Sequence, residues 1–404
     1  MRTKPLSYPE FVLLITALFS VVAFSTDAML PAFPEIAREL ELTNVNRAGL
    51  VISIFFLGTG VGQLVMGPLS DSIGRKPVML AGLAIYILFS WVGYISESLE
   101  MLLAARFLQG IGVSAPRTVS MAMIRDLYVG RVMAQIMSLS MVLFVLVPAI
   151  APYTGMFFIN AFGCRSIFVA FVVFGLLGIL WLGLRQPETH PPEARRPVTL
   201  SAYGQAARAV LSSRVAVTYS LVLSICFSTI IGYLSSAQQN YDVVFGRDAD
   251  FPFWFAMVAL ASGPSGFLNA ALVRRFGMRR IVTVSQGVFL CITLGMIATN
   301  MTTDFSIDVQ FALFLVWSVT VFWLAGLTVG NLNALVMEPM GKIAGMAAAI
   351  SGAMSTVVAV ILAIPMGLAF DGTVLPLQIG IAAVSVLAIG LMLSDPKGQA
   401  AQAG

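Results

Sequence analysis

The stretch Gly67-Pro-Leu-Ser-Asp-Ser-Ile-Gly-Arg-Lys-Pro-Val78 is a short, charged turn that lies between two long apolar runs of the chain. A polar break of this kind in an apolar sequence joins two helices that cross a membrane. Its paired basic residues, Arg75 and Lys76, predict that the turn lies on the cytoplasmic side. The turn therefore indicates a membrane protein and gives the expected direction of its helices.

A degenerate second copy of this turn, Leu-Val-Arg-Arg-Phe-Gly-Met-Arg-Arg-Ile, occupies residues 272–281. When Leu69 is aligned with Leu272, Gly74 also aligns with Gly277. The offset between the two copies is close to half of the 404-residue chain. The repeat therefore predicts that the protein consists of two related halves.

The composition narrows the class of protein. Hydrophobic residues make up 58% of the chain and charged residues 10%, whereas soluble domains carry about 25% charged residues, so we expect a polytopic membrane protein. Three cysteines and the single His190 provide no disulfide framework, no metal site and no nucleophilic centre, and an enzyme is therefore not expected. The net charge of +4 reflects the loops and does not indicate a nucleic-acid partner.

Twelve apolar runs approach the length of about 20 residues that a membrane-spanning helix needs. The predicted spans lie near 10–33, 48–69, 77–96, 100–124, 132–158, 164–184, 214–240, 251–273, 280–300, 308–337, 341–368 and 372–394. The predicted domains are an N-terminal six-helix bundle at 1–184, a cytoplasmic linker at 185–213, a C-terminal six-helix bundle at 214–394 and a cytoplasmic tail at 395–404. Most of the 23 lysines and arginines fall in cytoplasmic loops if both termini are cytoplasmic.

Three motifs carry a resemblance to a known family. The turn at 67–77 resembles the major facilitator signature between the second and third helices. The pattern Leu-x-x-x-Arg-x-x-Gln-Gly-x-Gly at 102–112 is similar to the fourth-helix signature of proton-driven drug exporters. The stretch Ser-Thr-Asp-Ala-Met-Leu-Pro-Ala-Phe-Pro at 25–34 is similar to the end of the first helix in the Bcr/CflA branch of drug:proton antiporters.

The resemblance implies an all-α membrane protein of the major facilitator fold, with twelve transmembrane helices in two six-helix bundles. It implies a transporter that exports small, mostly hydrophobic drugs or metabolites by alternating access, driven by the proton gradient and without a cofactor. The expected partners are a small-molecule substrate, protons and the lipid bilayer, and we expect a monomer in the bacterial cytoplasmic (inner) membrane. Two alternatives stay open: uptake or exchange of a specific organic acid or other metabolite, and a polytopic sensor, which the missing output domain disfavours.

The fifth predicted span departs from the family pattern, because three of its glycines are replaced within residues 147–156. The residues expected to keep the helix bend are Pro148, Pro152 and Gly155. The resemblance therefore implies the bend more strongly than it implies a close, glycine-dependent approach of helices.

Two charges inside predicted spans are candidates for proton and substrate coupling. Asp27 lies roughly 10 Å inside the first span, counted from Pro34, and Arg106 lies roughly 9 Å inside the fourth, counted from Glu100. A charge at such a depth is unfavourable and usually has a task or a partner. A proton and a cationic substrate would compete for Asp27, which favours antiport with Arg106 as a modulator. The alternatives are a permanent Asp27–Arg106 pair, or a helix end capped by Asp27.

The turn at 67–77 is also expected to form a gate. We expect an Asp71–Arg125 ion pair to close the transporter on the cytoplasmic side. The predicted gating residues are Gly67, Asp71, Gly74, Arg75, Lys76 and Arg125.

Other polar and aromatic residues are candidates for the wall of a substrate cavity. Arg117 is predicted to lie near the cytoplasmic face, where it either extends to the lipid headgroups or lines the cavity and favours an anionic substrate. The remaining cavity candidates are Met29, Tyr233, Gln238, Trp317, Trp323 and Asn331.

Overall fold

The computed structural model describes residues 6–195, 199–303 and 305–394. Every regular element in these ranges is helical, which confirms the predicted all-α class. The predicted cytoplasmic tail at 395–404 lies outside the described residues. The chain divides into two compact units, Met1–Tyr203 and Gly204–Gly404, each of which is described by itself.

The first unit contains six long helices within its described residues. They are α1 (Tyr8–Asp27), α2 (Leu50–Ile73), α3 (Arg75–Tyr94), α4 (Leu99–Leu127), α5 (Gly130–Phe162) and α6 (Ser166–Arg185). A linker helix (Leu200–Ser212) begins near the end of this unit.

The second unit also has six long helical segments where the structure describes it. They are α7 (Arg214–Gln239), α8 (Phe251–Ser262 and Ser265–Phe276), α9 (Met278–Thr302), α10 (Ile307–Met337), α11 (Ala344–Leu368) and α12 (Leu375–Leu393). The break within α8 falls at Gly263-Pro264, where proline cannot continue the helical hydrogen bonding.

Eleven helical segments of the described chain are long and apolar enough to cross a membrane. The twelfth long helix is α4, which is less apolar because it carries Arg106, Gln109 and Arg117 along its 29 residues. Together these segments confirm the predicted twelve-helix membrane fold. The helix that carries Arg106 is thus the least apolar of the twelve.

The first membrane-spanning segment runs from Tyr8 to Glu39, but its α-helix α1 ends at Asp27 instead of continuing to residue 33. Pro31 and Pro34 have no backbone N–H to donate to the carbonyls four residues earlier, so the α-helix is interrupted. The chain continues through a 3₁₀ turn (Leu30–Ala32) into a short helix (Phe33–Glu39). Asp27 therefore lies at a helix end inside the bundle.

Glycines bring α4 into the interior of the first unit. A Cβ atom on Gly110 would collide with the carbonyl oxygen of Phe55 on α2, and one on Gly112 would lie 2.6 Å from the carbonyl oxygen of Gly82 on α3. Small residues of this kind allow membrane helices to approach closely. The Gly110-x-Gly112 pair thus places α4 against both α2 and α3.

The fifth helix passes through both of its prolines without a break, as one helix from Gly130 to Phe162. Gly155 retains a close contact, because a Cβ atom there would collide with the carbonyl oxygen of Ala28, just after α1. Close approach at Gly155 therefore persists, although other glycines of the family pattern are replaced in this stretch.

Candidate functional site

Arg106 is fully buried on α4 and is bound by three acceptors. Its guanidinium donates to the backbone carbonyls of Ser25 (3.0 Å) and Val51 (3.3 Å) and to the side-chain oxygen of Gln109. The guanidinium carbon also lies 4.2 Å from the centre of the Phe55 ring. These contacts fix the arginine between α1, α2 and α4.

Further hydrogen bonds extend this cluster to α3. Gln109 donates to the hydroxyl of Ser90 at 2.6 Å, and the hydroxyls of Ser25 and Tyr86 are 2.7 Å apart. Buried networks in which the members are satisfied make a site rigid. We therefore define Ser25, Tyr86, Ser90, Arg106 and Gln109 as the Arg106 cluster, a preorganised part of the first unit.

Asp27 lies beside this cluster and is 5% exposed. The Thr26 hydroxyl donates to its carboxylate at 3.1 Å. No ion pair joins Asp27 to Arg106 in the described chain, and its side chain does not cap the 3₁₀ turn that follows. Both structural alternatives are thus wrong for this conformation. An aspartate at mid-membrane depth costs about 2.5–3.5 kcal/mol.

Arg117 lies in the second half of α4. The helix extends to Leu127, so Arg117 lies about 15 Å before the helix end at 1.5 Å per residue. The residue is partly exposed.

The expected Asp71–Arg125 pair is wrong. Within the described residues Asp71 pairs with Arg75, and the Arg75 Nε atom pairs with Asp126 at 2.9 Å. Adjacent residues on a helix point about 100° apart, so Asp126 reaches Arg75, whereas Arg125 makes no ion pair within the described residues. The cluster therefore links the end of α2 to the end of α4 through Arg75.

The predicted gating glycines and Lys76 surround this ion cluster. Gly67 lies within α2 and its carbonyl accepts a hydrogen bond from the hydroxyl of Ser70 at 2.6 Å, and that hydroxyl in turn accepts from Arg75 at 2.8 Å. The ammonium of Lys76 donates to the carbonyl of Gly183, near the end of α6, at 2.7 Å.

Glu188 is a functional candidate that the sequence did not reveal. Its carboxylate accepts hydrogen bonds from the backbone N–H groups of Arg75 (2.9 Å) and Lys76 (3.1 Å), at the first turn of α3. Helix N-termini favour anions. The backbone of Gly74 has φ +109°, and a Cβ atom there would lie 2.6 Å from the Glu188 carboxylate. Glycine is therefore required at this position for both conformation and space.

Two cavity candidates of the second unit meet in an aromatic cluster. The rings of Tyr233 and Trp317 have centroids 6.2 Å apart, and both residues are fully buried. The indole of Trp317 donates to the hydroxyl of Thr293 at 3.1 Å. In this conformation the two rings pack α7, α9 and α10 together.

The other cavity candidates are dispersed. Gln238 donates to Asp248 at 2.6 Å, Trp323 to the carbonyl of Ala261 at 2.9 Å, and Asn331 to Asn269 at 2.7 Å. Met29 is fully buried just after Asp27. The structure thus places these side chains in separate contacts within their own units.

A comparison with protein families matches residues 13–365 to the Major Facilitator Superfamily. Among curated relatives, the uncharacterized MFS-type transporter YdgK of Bacillus subtilis is 29% identical over 81% of this chain and 80% of its own. The bicyclomycin resistance protein homolog of Haemophilus influenzae is 28% identical over 69% and 70%. The multidrug resistance protein MdtL of Shewanella oneidensis is 28% identical over 68% and 69%.

The fold has counterparts among solved structures. The crystal structure of a D-xylose-proton symporter superposes with a TM-score of 0.76 over 96% of this chain and 98% of its own, at 15% sequence identity. Structural similarity at this level of sequence identity supports the fold only.

Proposed function

The chain belongs to the Major Facilitator Superfamily, and on this premise we propose that it exports small, mostly hydrophobic molecules in exchange for protons. Membership makes it a multi-pass membrane transporter and not an enzyme. Its resemblance to drug-resistance proteins supports export. The observation that carries the proposal is the buried carboxylate of Asp27, which has no cationic partner in the described chain although Arg106 is bound nearby.

Charge competition at Asp27 couples the two fluxes. A proton and a cationic or hydrogen-bond-donating substrate each reduce the free-energy cost of burying the Asp27 carboxylate. Because both would bind the same carboxylate, they exclude one another. Arg106 is held by backbone carbonyls and Gln109. Arg106 therefore orders the end of α1 without occupying the carboxylate of Asp27.

We propose that Arg75, Asp71, Asp126 and Glu188 form the gate of an alternating-access cycle. Arg75 joins two carboxylates, and Glu188 holds the backbone at the start of α3. Contacts that break and re-form as the protein changes state would set the turnover rate without contacting substrate. We propose a location in the bacterial inner membrane with both termini cytoplasmic; the basic residues of this turn support its cytoplasmic side.

Transport in proteoliposomes with an imposed pH gradient tests the function. Ethidium and the methyl ester of a rhodamine dye serve as probes, and a pH-sensitive dye reports proton movement. We expect wild type and the exposed control Asp250→Asn to couple dye flux to proton flux, and Asp27→Asn to lose the coupling. Full proton-coupled transport by Asp27→Asn contradicts the proposal.

A second function, uptake or exchange of a small organic acid, is favoured by one observation. The guanidinium of Arg117 has no acidic partner within the described ranges. The direction of transport separates the two functions. Dye efflux from energised cells supports the first, and accumulation of a labelled acid supports the second.

A further inference from the structure

We propose that Arg117 binds an anionic group of the transported molecule, so that the substrate class includes hydrophobic compounds bearing a carboxylate or a similar oxyanion. The inference rests on the proposed transport function and names the chemistry of one of its contacts. Its starting observation is that Arg117 has neither an ion pair nor a hydrogen bond to any residue of 6–195, 199–303 and 305–394. By contrast, Arg106 on the same helix has three acceptors.

Arg117 lies closer to the middle of α4 than to either end of the helix. The helix α4 spans 29 residues, and Arg117 lies about 6 Å from its midpoint at 1.5 Å per residue. The nearer end of the helix is Leu127, about 15 Å away. Every Cα–Cβ bond of a helix tilts toward the N-terminus, which here is Leu99. The side chain therefore leans toward the middle of the helix and away from the nearer end.

Arg117 is partly exposed, although several of its neighbours on α4 are buried. Ala115 and Val119 are fully buried and Pro116 is buried, whereas Arg117 is partly exposed. One turn further on, the buried hydroxyl of Ser120 has no hydrogen-bond partner among the described residues. A residue three positions away on a helix lies on the same face, so this hydroxyl is a further donor beside the guanidinium.

The chemistry of the guanidinium selects the ligand. Its planar fork of N–H donors matches the two oxygens of a carboxylate in a bidentate arrangement. Because no acidic side chain of the described chain offers that arrangement to Arg117, a carboxylate or other oxyanion on the substrate would supply it.

The predicted anion contact is separate from the proton site. Arg106 holds Ser25, which is close to Asp27, and Arg117 lies about 16 Å from Arg106 along α4 at 1.5 Å per residue. An anion at Arg117 therefore leaves Asp27 free to exchange its proton. The two variants Arg117→Gln and Asp27→Asn should consequently affect different measurements.

Dissociation constants for matched dye pairs test the inference on purified full-length protein. Each pair consists of a rhodamine with a free carboxylate and its methyl ester, measured by fluorescence polarisation. We expect Arg117→Gln to weaken binding of the acid about tenfold while changing the ester less than about twofold. Arg117→Lys, which keeps the charge but loses the bidentate fork, should retain only part of the preference. Arg131→Gln removes an equivalent charge from an exposed position and should change neither.

Two results overturn the inference. One is a ratio of acid to ester dissociation constants that is the same in Arg117→Gln and wild type. The other is that every carboxylate dye tested binds Arg117→Gln as tightly as it binds wild type. A folding defect in Arg117→Gln is recognised by its elution volume and melting temperature, which are compared with those of wild type and of Arg117→Lys. Loss of acid preference with intact, Asp27-dependent proton coupling supports this inference independently. If the acid preference depends on Arg117 but transport is not coupled to protons, the anion contact at Arg117 is supported and the proposed antiport is contradicted.

Discussion

Arg106 donates a hydrogen bond to the backbone carbonyl of Ser25 over 3.0 Å, so this arginine fixes the end of α1 by its backbone and not by the carboxylate of Asp27. The arrangement leaves the carboxylate of Asp27 without a direct ion pair to Arg106 in the described chain. Arg106 orders the site, and Asp27 stays available to a proton or a substrate.

Arg106→Lys should therefore destabilise the protein although it keeps the charge. An ammonium is a point donor and cannot reach Ser25, Val51 and Gln109 in the planar arrangement that the guanidinium uses. We expect a loss of about 1–3 kcal/mol, the cost of leaving buried hydrogen-bonding groups without their partner. Thermal unfolding in detergent measures it, with exposed Arg131→Lys as the control. Equal melting temperatures would contradict the argued role.

The depth of Arg106 could be predicted from the sequence, whereas its partners could not. Counting residues from a polar loop gives the depth of a side chain, because the rise per residue of a helix is fixed. It does not give the acceptors, since Ser25 and Val51 offer backbone carbonyls that every residue possesses. The alternative of a permanent Asp27–Arg106 pair assumed that opposite charges at one depth must meet.

The turn at 67–77 illustrates the same limit. Its composition predicted a joint between two helices, and this is confirmed, but the joint is shorter than the predicted turn: α2 continues to Ile73 and α3 begins at Arg75, which leaves Gly74 alone between them. The choice between Arg125 and Asp126 depended on the rotation of α4, which a sequence without helix contacts does not determine. Glu188 lies 113 residues from the backbone amide it binds, and only the preference of helix N-termini for anions could have indicated it.

Gly110→Ala should be poorly tolerated because its Cβ atom would collide with the carbonyl oxygen of Phe55 on the neighbouring helix. A backbone atom cannot move aside as a flexible side chain can, so we expect a cost of about 1–3 kcal/mol or more. Gly287→Ala is the matched control, since a Cβ atom there meets no atom within 4 Å. Thermal unfolding of the two purified variants should differ clearly. Similar stability would show that α2 and α4 separate at low cost.

Glu188→Gln should slow transport while leaving substrate affinity nearly unchanged. The substitution removes the negative charge that accepts hydrogen bonds from the backbone N–H groups of Arg75 and Lys76 at the first turn of α3. Loss of such a charge at a helix N-terminus destabilises the folded protein by about 0.3–1 kcal/mol. Glu193→Gln alters an exposed carboxylate of the same linker and serves as the control. Turnover in proteoliposomes and dye binding to purified protein separate the two effects. Weakened binding with normal turnover would place Glu188 outside the gate.

Asp126→Asn should slow turnover and the adjacent substitution Arg125→Gln should not, if Arg75 is the central residue of the gate. Asp126 binds the Nε atom of Arg75 at 2.9 Å, whereas Arg125 is exposed. We expect Asp126→Asn to slow turnover about tenfold, as removal of a charged hydrogen-bond partner would, and Arg125→Gln to stay within about twofold of wild type. Asp71→Asn should resemble Asp126→Asn, because both carboxylates bind the same guanidinium. Turnover at saturating dye in proteoliposomes measures all three variants, and slow Arg125→Gln beside normal Asp126→Asn would restore the Asp71–Arg125 pair as the functional contact.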